Sequence, residues 1–559
     1  MRSETLLALL SSAALASANS PYYGEEQYPF VAAAAASDFK CDLPPAVSPS
    51  DGLPSARDLF SSPEAVQKQV ERHAALVRVP SICYDDLGDF DTDSRWDVFY
   101  ELHDVLKKTY PVNTFGLVYT LRGSNPSLKP LLLAAHQDVV PVADAATWTY
   151  PPFSAHFDGE WMWGRGVSDD KNSFTALLSA LETLLSSPAG WSPTRTIILA
   201  SGFDEECSGA RGAGHIATHL QQTWGNDSMV LVLDEGGMGL QQLDDGTLYA
   251  LPAVMEKGHV DIWLDLHVTG GHSSVPFPHT GIGIVSEIVV ALESHPYSPK
   301  LTTGSPLYEH MVCQARYSPD AQPRVTELLE EGDLDALAAE LVAIDRPTHY
   351  RLQTSQSVDY FQAGQKINAM PEKIRVGVNY RVAPQNSIPE IQHNVVGHVS
   401  GIAEKYGIAV KAFEGDKDYE EYAKRYASRL ASVEKLDDAV KPLYDVDYNG
   451  TLYLSRTQAT QPAPISPTKG PVWDLFSGTL QSTFAFDGGR VVPVGELMTG
   501  NTDTRHYLSL TRNIYRFVPI RNGATLNAHT IDERIKISAH MEILSFYYDL
   551  IRNFDAADI

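Results

Sequence analysis

Imidazole and carboxylate residues recur in this chain wherever an apolar run stops. Pro130-Leu-Leu-Leu-Ala-Ala-His136-Gln-Asp138 ends on a histidine and an aspartate, Ile197-Ile-Leu-Ala200 runs into Asp204-Glu205-Glu206, and Val230-Leu-Val-Leu233 ends on Asp234-Glu235-Gly236-Gly237. Asp169-Asp170 and His529 stand in loop-like sequence. Side chains alternate along a strand, so His136 and Asp138 leave on the same side, a ligand with a carboxylate beside it. Collected, His136, Asp169, Glu206, Asp234 and His529 are donors of the kind that bind Zn²⁺, and with one carboxylate shared they would hold two ions. A thiolate-free, oxygen-rich set also admits Mn²⁺ or Co²⁺. Asp234 is the expected ligand at its strand end, with the adjacent Glu235 as the alternative. Glu205 sits next to a ligand without being needed as one, which suits a general base for an activated water.

The elements that must position these groups are short buried strands and the helices between them. Apolar strands near 131, 197 and 230, with a helix in each interval, predict a βαβ alternation and a largely parallel α/β sheet, whose ligands collect at the carboxyl ends of the strands. Phe174, Leu177, Leu178, Leu181, Leu184 and Leu185 form a helical stripe that belongs to the core. A helix over Pro63–Val77, capped by Ser62, and a strand over 114–122 precede this unit. At Val260 the pattern changes to strict alternation (Val260, Ile262, Leu264, Leu266, Val268), and it returns at Ile374, Val376, Val378, Tyr380 and Val382. With helices at 283–292 and 389–405 and a strand at 408–413, this reads as an inserted α+β, ferredoxin-like lid or dimerisation domain with one open face. The stretch 319–344 reads as a helical elaboration of the lid. The resulting division is a signal peptide over 1–18 and an N-terminal extension over 19–55. A catalytic domain spans 56–256 and 471–559, interrupted by the lid over 257–415 and a connector over 416–470.

At 559 residues the chain is long enough for two cores, and 43% hydrophobic and 20% charged residues are ordinary globular values. A formal net charge of −27 argues against nucleic acid and against a stable anionic-membrane partner, since both reward a basic face. Met1-Arg2, the apolar run from Leu6 and Ala16-Ser17-Ala18 have the layout of a secretory signal. Asn226-Asp-Ser228 and Asn449-Gly-Thr451 are glycosylation acceptors that agree with a secretory route, secreted or to a vacuolar lumen. Cys41, Cys83, Cys207 and Cys313 form no CxxC pair; disulfides are allowed and a thiolate-bound zinc is not expected. GxSxG, HExxH and a complete GxGxxG are absent from the sequence, which disfavours a serine hydrolase.

The matching segments His136-Gln-Asp138, Gly164-Arg-Gly166 with Asp169-Asp170-Lys171, Asp204-Glu205-Glu206, Asp234-Glu235-Gly236-Gly237, Gly270-Gly271-His272-Ser273-Ser274, Thr502-Asp503-Thr504-Arg505 and His529 occur in the order found in one family. The chain resembles the dinuclear zinc aminoacylase and carboxypeptidase family, and within it the Gly-Xaa carboxypeptidases of the carboxypeptidase S group, over about residues 60 to 555. The resemblance implies two zinc ions bridged by Asp169, with His136 partnered by Asp234 and Glu206 by His529. It implies Asp138 as the carboxylate orienting His136, and Glu205 as the base that passes the water's proton to the leaving amine. His272 would stabilise the oxyanion, often from a neighbouring subunit, so a homodimer through the lid is allowed. Arg381 would hold a free α-carboxylate, and Asn368 would contact substrate. The implied activity is hydrolysis of the last peptide bond of short peptides with a small acyl-side residue such as Gly. The same site on an N-acyl amino acid would make an amidohydrolase. A catalytically silent metal-binding protein is the reading from another class, and the retained Glu205 speaks against it.

Overall fold

The computed structural model describes residues 39–90, 92–110, 118–426 and 446–559. The signal peptide, the first part of the extension, the start of the expected strand over 114–122 and residues 427–445 of the connector lie outside the described residues.

Leu131–Ala134, Ile197–Ala200 and Leu231–Asp234 are buried along their whole length, as strands must be when both faces of a sheet are covered. They lie in a seven-stranded sheet of order Val118–Leu121, Ile197–Ala200, Leu131–Ala134, Leu231–Asp234, Ile514–Arg516, Ala253–Glu256, Glu496–Met498. Its centre is parallel, with the edge strand Val118–Leu121 antiparallel. Alternation sorts the strand residues between two layers. Leu131, Leu133, Ile197 and Leu199 pack with helices Pro63–Val77, Lys171–Leu185 and Ile537–Ala556. Leu132, Ala134, Ile198 and Ala200 pack with helix Ala213–Trp224.

Glu256 ends the catalytic sheet and Gly258–His267 opens the lid, with buried and half-buried residues alternating. The lid sheet has five strands in the order Ser355–Ala363, Lys373–Val382, Gly258–His267, Thr451–Thr460, Ala409–Ala412. Helices Gly281–Glu293 and Ile388–Lys405 close one face around Val260, Ile262, Leu264 and Val376. The lid thus takes in Thr451–Thr460, which the sequence reading assigned to the connector. Only Leu452 and Leu454 of that strand enter the core, and Arg456, Thr457 and Gln458 that follow are polar, so its alternation is too short to register.

The helical elaboration also sits differently from its expected place on the lid. Helices Pro306–Tyr317, Pro323–Glu331, Leu334–Ile344 and Arg346–Leu352 build a small core of their own. They dock on the catalytic body, where His310 Nδ1 lies 2.6 Å and Arg351 Nη1 3.0 Å from Glu496 Oε2. Glu496 is fully buried, and the Arg351 guanidinium and the His310 ring nitrogen satisfy its carboxylate. The Cys41–Cys313 disulfide ties the same unit to the N-terminal extension, while Cys83–Cys207 anchors the turn after Glu206. Among the described residues, no helix is long and apolar enough to cross a membrane.

Candidate metal and substrate site

The end of strand Leu131–Ala134 delivers His136 to the rim of the sheet, where its ring is buried. Nδ1 lies 3.0 Å from the Asp138 backbone carbonyl and 3.3 Å from Asp138 Oδ1. With acceptors on that side Nδ1 carries a proton, so Nε2 is the nitrogen placed to meet a metal. Nε2 is 3.0 Å from Asp169 Oδ1 and 3.4 Å from Glu235 Oε1. Across the centre, His529 Nε2 lies 3.0 Å from Asp169 Oδ2 and 3.2 Å from Glu206 Oε1. Asp169 therefore turns one oxygen toward each imidazole. Ligand atoms of His136, Asp169 and Glu206 lie within 4.8 Å of one another, as do those of His136, Glu205 and Glu235.

Two carboxylates fix the loops that carry these groups. Asp138, beside the His136 ring, also accepts from the backbone amides of Glu205 (3.1 Å) and Glu206 (3.0 Å) and so shapes the neighbouring turn. Glu533 pairs with Arg165 at 2.7 Å and accepts from the amides of Gly166 and Ser168 and from the Ser168 hydroxyl, the loop leading into Asp169.

The structure brings Glu235, not Asp234, to His136. Asp234 is buried and its Oδ1 accepts from the Glu235 amide at 2.9 Å. Burial raises its carboxyl to about 6, and it feels the His136 charge, but among the described residues neither of its oxygens makes an ion pair with an imidazole of the cluster. Adjacent residues at a strand end face opposite ways, and here the second one faces the imidazole.

The electrostatics are those of a dense, buried acidic pocket. Burial pushes the Glu205 carboxyl up to about 8. It pushes Glu206 up to about 7, with the Asp169 charge adding to the effect. Hydrogen bonds to Asp169 and Glu206 raise His529 to about 10. Burial alone would lower His136, but Glu235, Asp138 and Asp169 outweigh it and hold the ring well above its usual range. Protons are thus retained where a divalent cation would displace them. The all-nitrogen-and-oxygen donor set and its hydrogen-bonded second layer fit Zn²⁺.

Arg505 Nη2 reaches Glu205 Oε1 at 3.2 Å. Arg381, on lid strand Lys373–Val382, donates from Nη1 to Asn501 Oδ1 at 3.1 Å. Burial pushes the Arg381 guanidinium down, and its surroundings include Asp261, Arg505 and Glu205, so it belongs to the cleft and not to the outer surface. Among the described residues no carboxylate forms an ion pair with it. His272 and Asn368 lie elsewhere. Both are exposed at the ribbon formed by Gly271–His272 and Ala369–Met370, where His272 Nδ1 accepts from Ser274 Oγ at 2.7 Å and the Asn368 carbonyl accepts from the Ser273 amide at 3.2 Å. Among the described residues neither side chain bonds to the ligand cluster. Asn501, Arg505 and Glu533 had no role assigned from sequence, because loop residues show no period and a buried acid is recognised only by its partner.

Residues 132–553 match the family described as peptidase family M20/M25/M40. The chain is 36% identical over 550 residues to an uncharacterized carboxypeptidase of Schizosaccharomyces pombe, covering 94% of this chain and 87% of that one. It is 34% identical over 542 residues to carboxypeptidase S of Saccharomyces cerevisiae, covering 92% and 88%. With an N-fatty-acyl-amino acid synthase/hydrolase of Mus musculus it shares 28% identity over 514 residues, covering 89% of each. The fold is similar to that of the dipeptidase Dug1p of Saccharomyces cerevisiae, with a TM-score of 0.61 at 12% identity, covering 90% of this chain and 99% of that one.

Proposed function

The chain belongs to peptidase family M20/M25/M40 and is a metal-dependent hydrolase of peptide or amide bonds, and from that premise we propose that it is a zinc carboxypeptidase that removes the last residue of short peptides of the Gly-Xaa type. The observation that carries this reading is the Arg381 guanidinium, set in the cleft beside Arg505 and Glu205 without a carboxylate partner among the described residues. Such a cation suits the free α-carboxylate of a substrate, held by paired hydrogen bonds.

We assign His136 and Glu235 to one zinc, Glu206 and His529 to the other, and Asp169 to both. When bound, the ions supply Lewis acidity to the scissile carbonyl and lower the pKa of the attacking water. Glu205 takes the proton from that water and returns it to the departing nitrogen, with Arg505 fixing its carboxylate. Asp138 keeps the His136 ring in its orientation. His272 and Asn368, on an exposed ribbon, would serve a substrate held in the cleft of a second copy, in a homodimer through the lid. The Cys41–Cys313 and Cys83–Cys207 disulfides support an oxidising secretory compartment, secreted or vacuolar.

The likeness to an N-fatty-acyl-amino acid hydrolase favours a second reading, amidohydrolase action on N-acyl amino acids, since these carry the same free carboxylate. A substrate panel separates the two. Gly-Leu-type peptides should be cleaved with higher kcat/KM than N-acetyl- and N-oleoyl-amino acids, and exhaustive chelation should abolish turnover until zinc is restored. Faster turnover of the acylated set would make the amidohydrolase reading the correct one.

A further inference from the structure

We propose that Asn501 is a specificity-determining positioning residue, the neutral bridge that aims Arg381 and leaves its charge available to a substrate carboxylate. This rests on the carboxylate role given to Arg381 above. Asn501 lies in the loop between strand Glu496–Met498 and helix Thr504–Tyr507. Its Oδ1 accepts from Arg381 Nη1 at 3.1 Å, and its Nδ2 donates to the Lys257 carbonyl at 2.7 Å.

Lys257 joins the last catalytic strand, Ala253–Glu256, to the first lid strand, Gly258–His267. It is itself moored: its amide donates to the Met498 carbonyl at 3.1 Å, and its buried ammonium donates to the carbonyls of Tyr350 (3.0 Å) and Gln353 (2.6 Å). The bridge therefore has one fixed end at the domain junction and one end on the lid arginine.

The chemistry of the two ends selects an amide. A backbone carbonyl only accepts and a guanidinium only donates, so the group between them needs a donor on one side and an acceptor on the other. Aspartate would still accept from Arg381, but it would oppose an oxygen to the Lys257 carbonyl and cancel the guanidinium charge. Asp261, across the lid strand pair, is felt by the guanidinium but makes no ion pair with it among the described residues; its Oδ1 is taken by His259 Nε2 at 3.0 Å and Asn379 Nδ2 at 2.9 Å. Arg381 thus keeps N–H donors and a charge for an incoming anion.

Zinc-loaded Asn501→Asp, Asn501→Ala and wild-type protein, matched for melting temperature and zinc content, should be compared on Gly-Leu and on Gly-Leu amide. KM for the free acid should rise in the order wild type, Asn501→Ala, Asn501→Asp, by about tenfold or more at the last, with kcat little changed. The preference over the amide should shrink in step. In an Arg381→Ala background, Asn501→Asp should add nothing. If Asn501 merely holds the arginine in place, the order of the two variants reverses. That reversal, a KM for Asn501→Asp within twofold of wild type, or an equal further loss in the Arg381→Ala background would each overturn the proposal. Should Asn501→Asp fail to fold, Asn501→Ala with and without Arg381→Ala decides the same coupling. A wild-type enzyme with no preference for the free acid would instead overturn the carboxylate role of Arg381, and this inference with it.

Discussion

Glu205 meets Arg505 on one side and the ligand cluster on the other, and its removal should separate binding from chemistry. Glu205→Gln should keep close to two zinc ions per chain by elemental analysis and lose roughly 10²–10⁴ in kcat, the range for a positioned acid–base group. Substantial residual turnover would remove it from that role. Glu235 and Asp234 make a second contrast at the same scale. Glu235→Ala should lower zinc stoichiometry, whereas Asp234→Asn should keep both ions, because only Glu235 approaches His136 Nε2; equal retention by both would return the ligand assignment to the open alternative. Residue types and spacing made His136, Asp169, Glu206 and His529 legible in the sequence as candidate donors, since each closes an apolar run or stands in a distinctive loop, and the structure places their side chains together. Between two acids in tandem they favoured Asp234, whereas the geometry favours Glu235, because the outcome depends on which face of the strand end looks into the cleft. They could not reach Asn501, whose importance lies entirely in the two groups it touches.

At the scale of elements, the C-terminal segment around His529 and Glu533 grips the Asp169 loop twice, by an imidazole against the carboxylate and by Glu533 against the loop backbone and Arg165. Glu533→Ala strands the buried Arg165 charge and should cost about 3–5 kcal/mol in denaturant unfolding. The same variant should bind zinc more weakly in equilibrium dialysis, while the distant Arg324→Ala, on an exposed ion pair, should change neither measurement. Unaltered zinc affinity in Glu533→Ala would limit the clamp to a stability role. Strands that are apolar throughout, or that alternate over five positions as from Val260, were readable without a structure. Thr451–Thr460 was not, because two inward leucines give too little signal, and helices 306–352 interrupt the lid in sequence while forming a core of their own that meets the catalytic body at Glu496.

For the whole molecule, His73 and His540 stack at 5.0 Å beneath the Asp169 loop, and the packed catalytic core encloses them. Burial pushes His73 down to about 4 and holds His540 well below its usual range. In the unfolded chain both titrate near 6.5, so between about 4 and 6.5 the unfolded chain binds protons that the folded one does not. Stability is fully present above about pH 6.5 and is lost as the pH falls through that window, by on the order of 3 kcal/mol for His73 at the acid end. Denaturant midpoints of zinc-saturated protein taken across the window should fall less steeply for His73→Gln than for wild type, and parallel slopes would exclude the pair as the source. The late position of His529 and Glu533 in the chain has a consequence for biosynthesis. A nascent chain, or one clipped ahead of these residues, has His136 and Asp169 but not the imidazole and clamp that complete the centre. On the proposed ligand set, a chain lacking these residues would hold zinc less well, so full metal loading would wait on the end of synthesis.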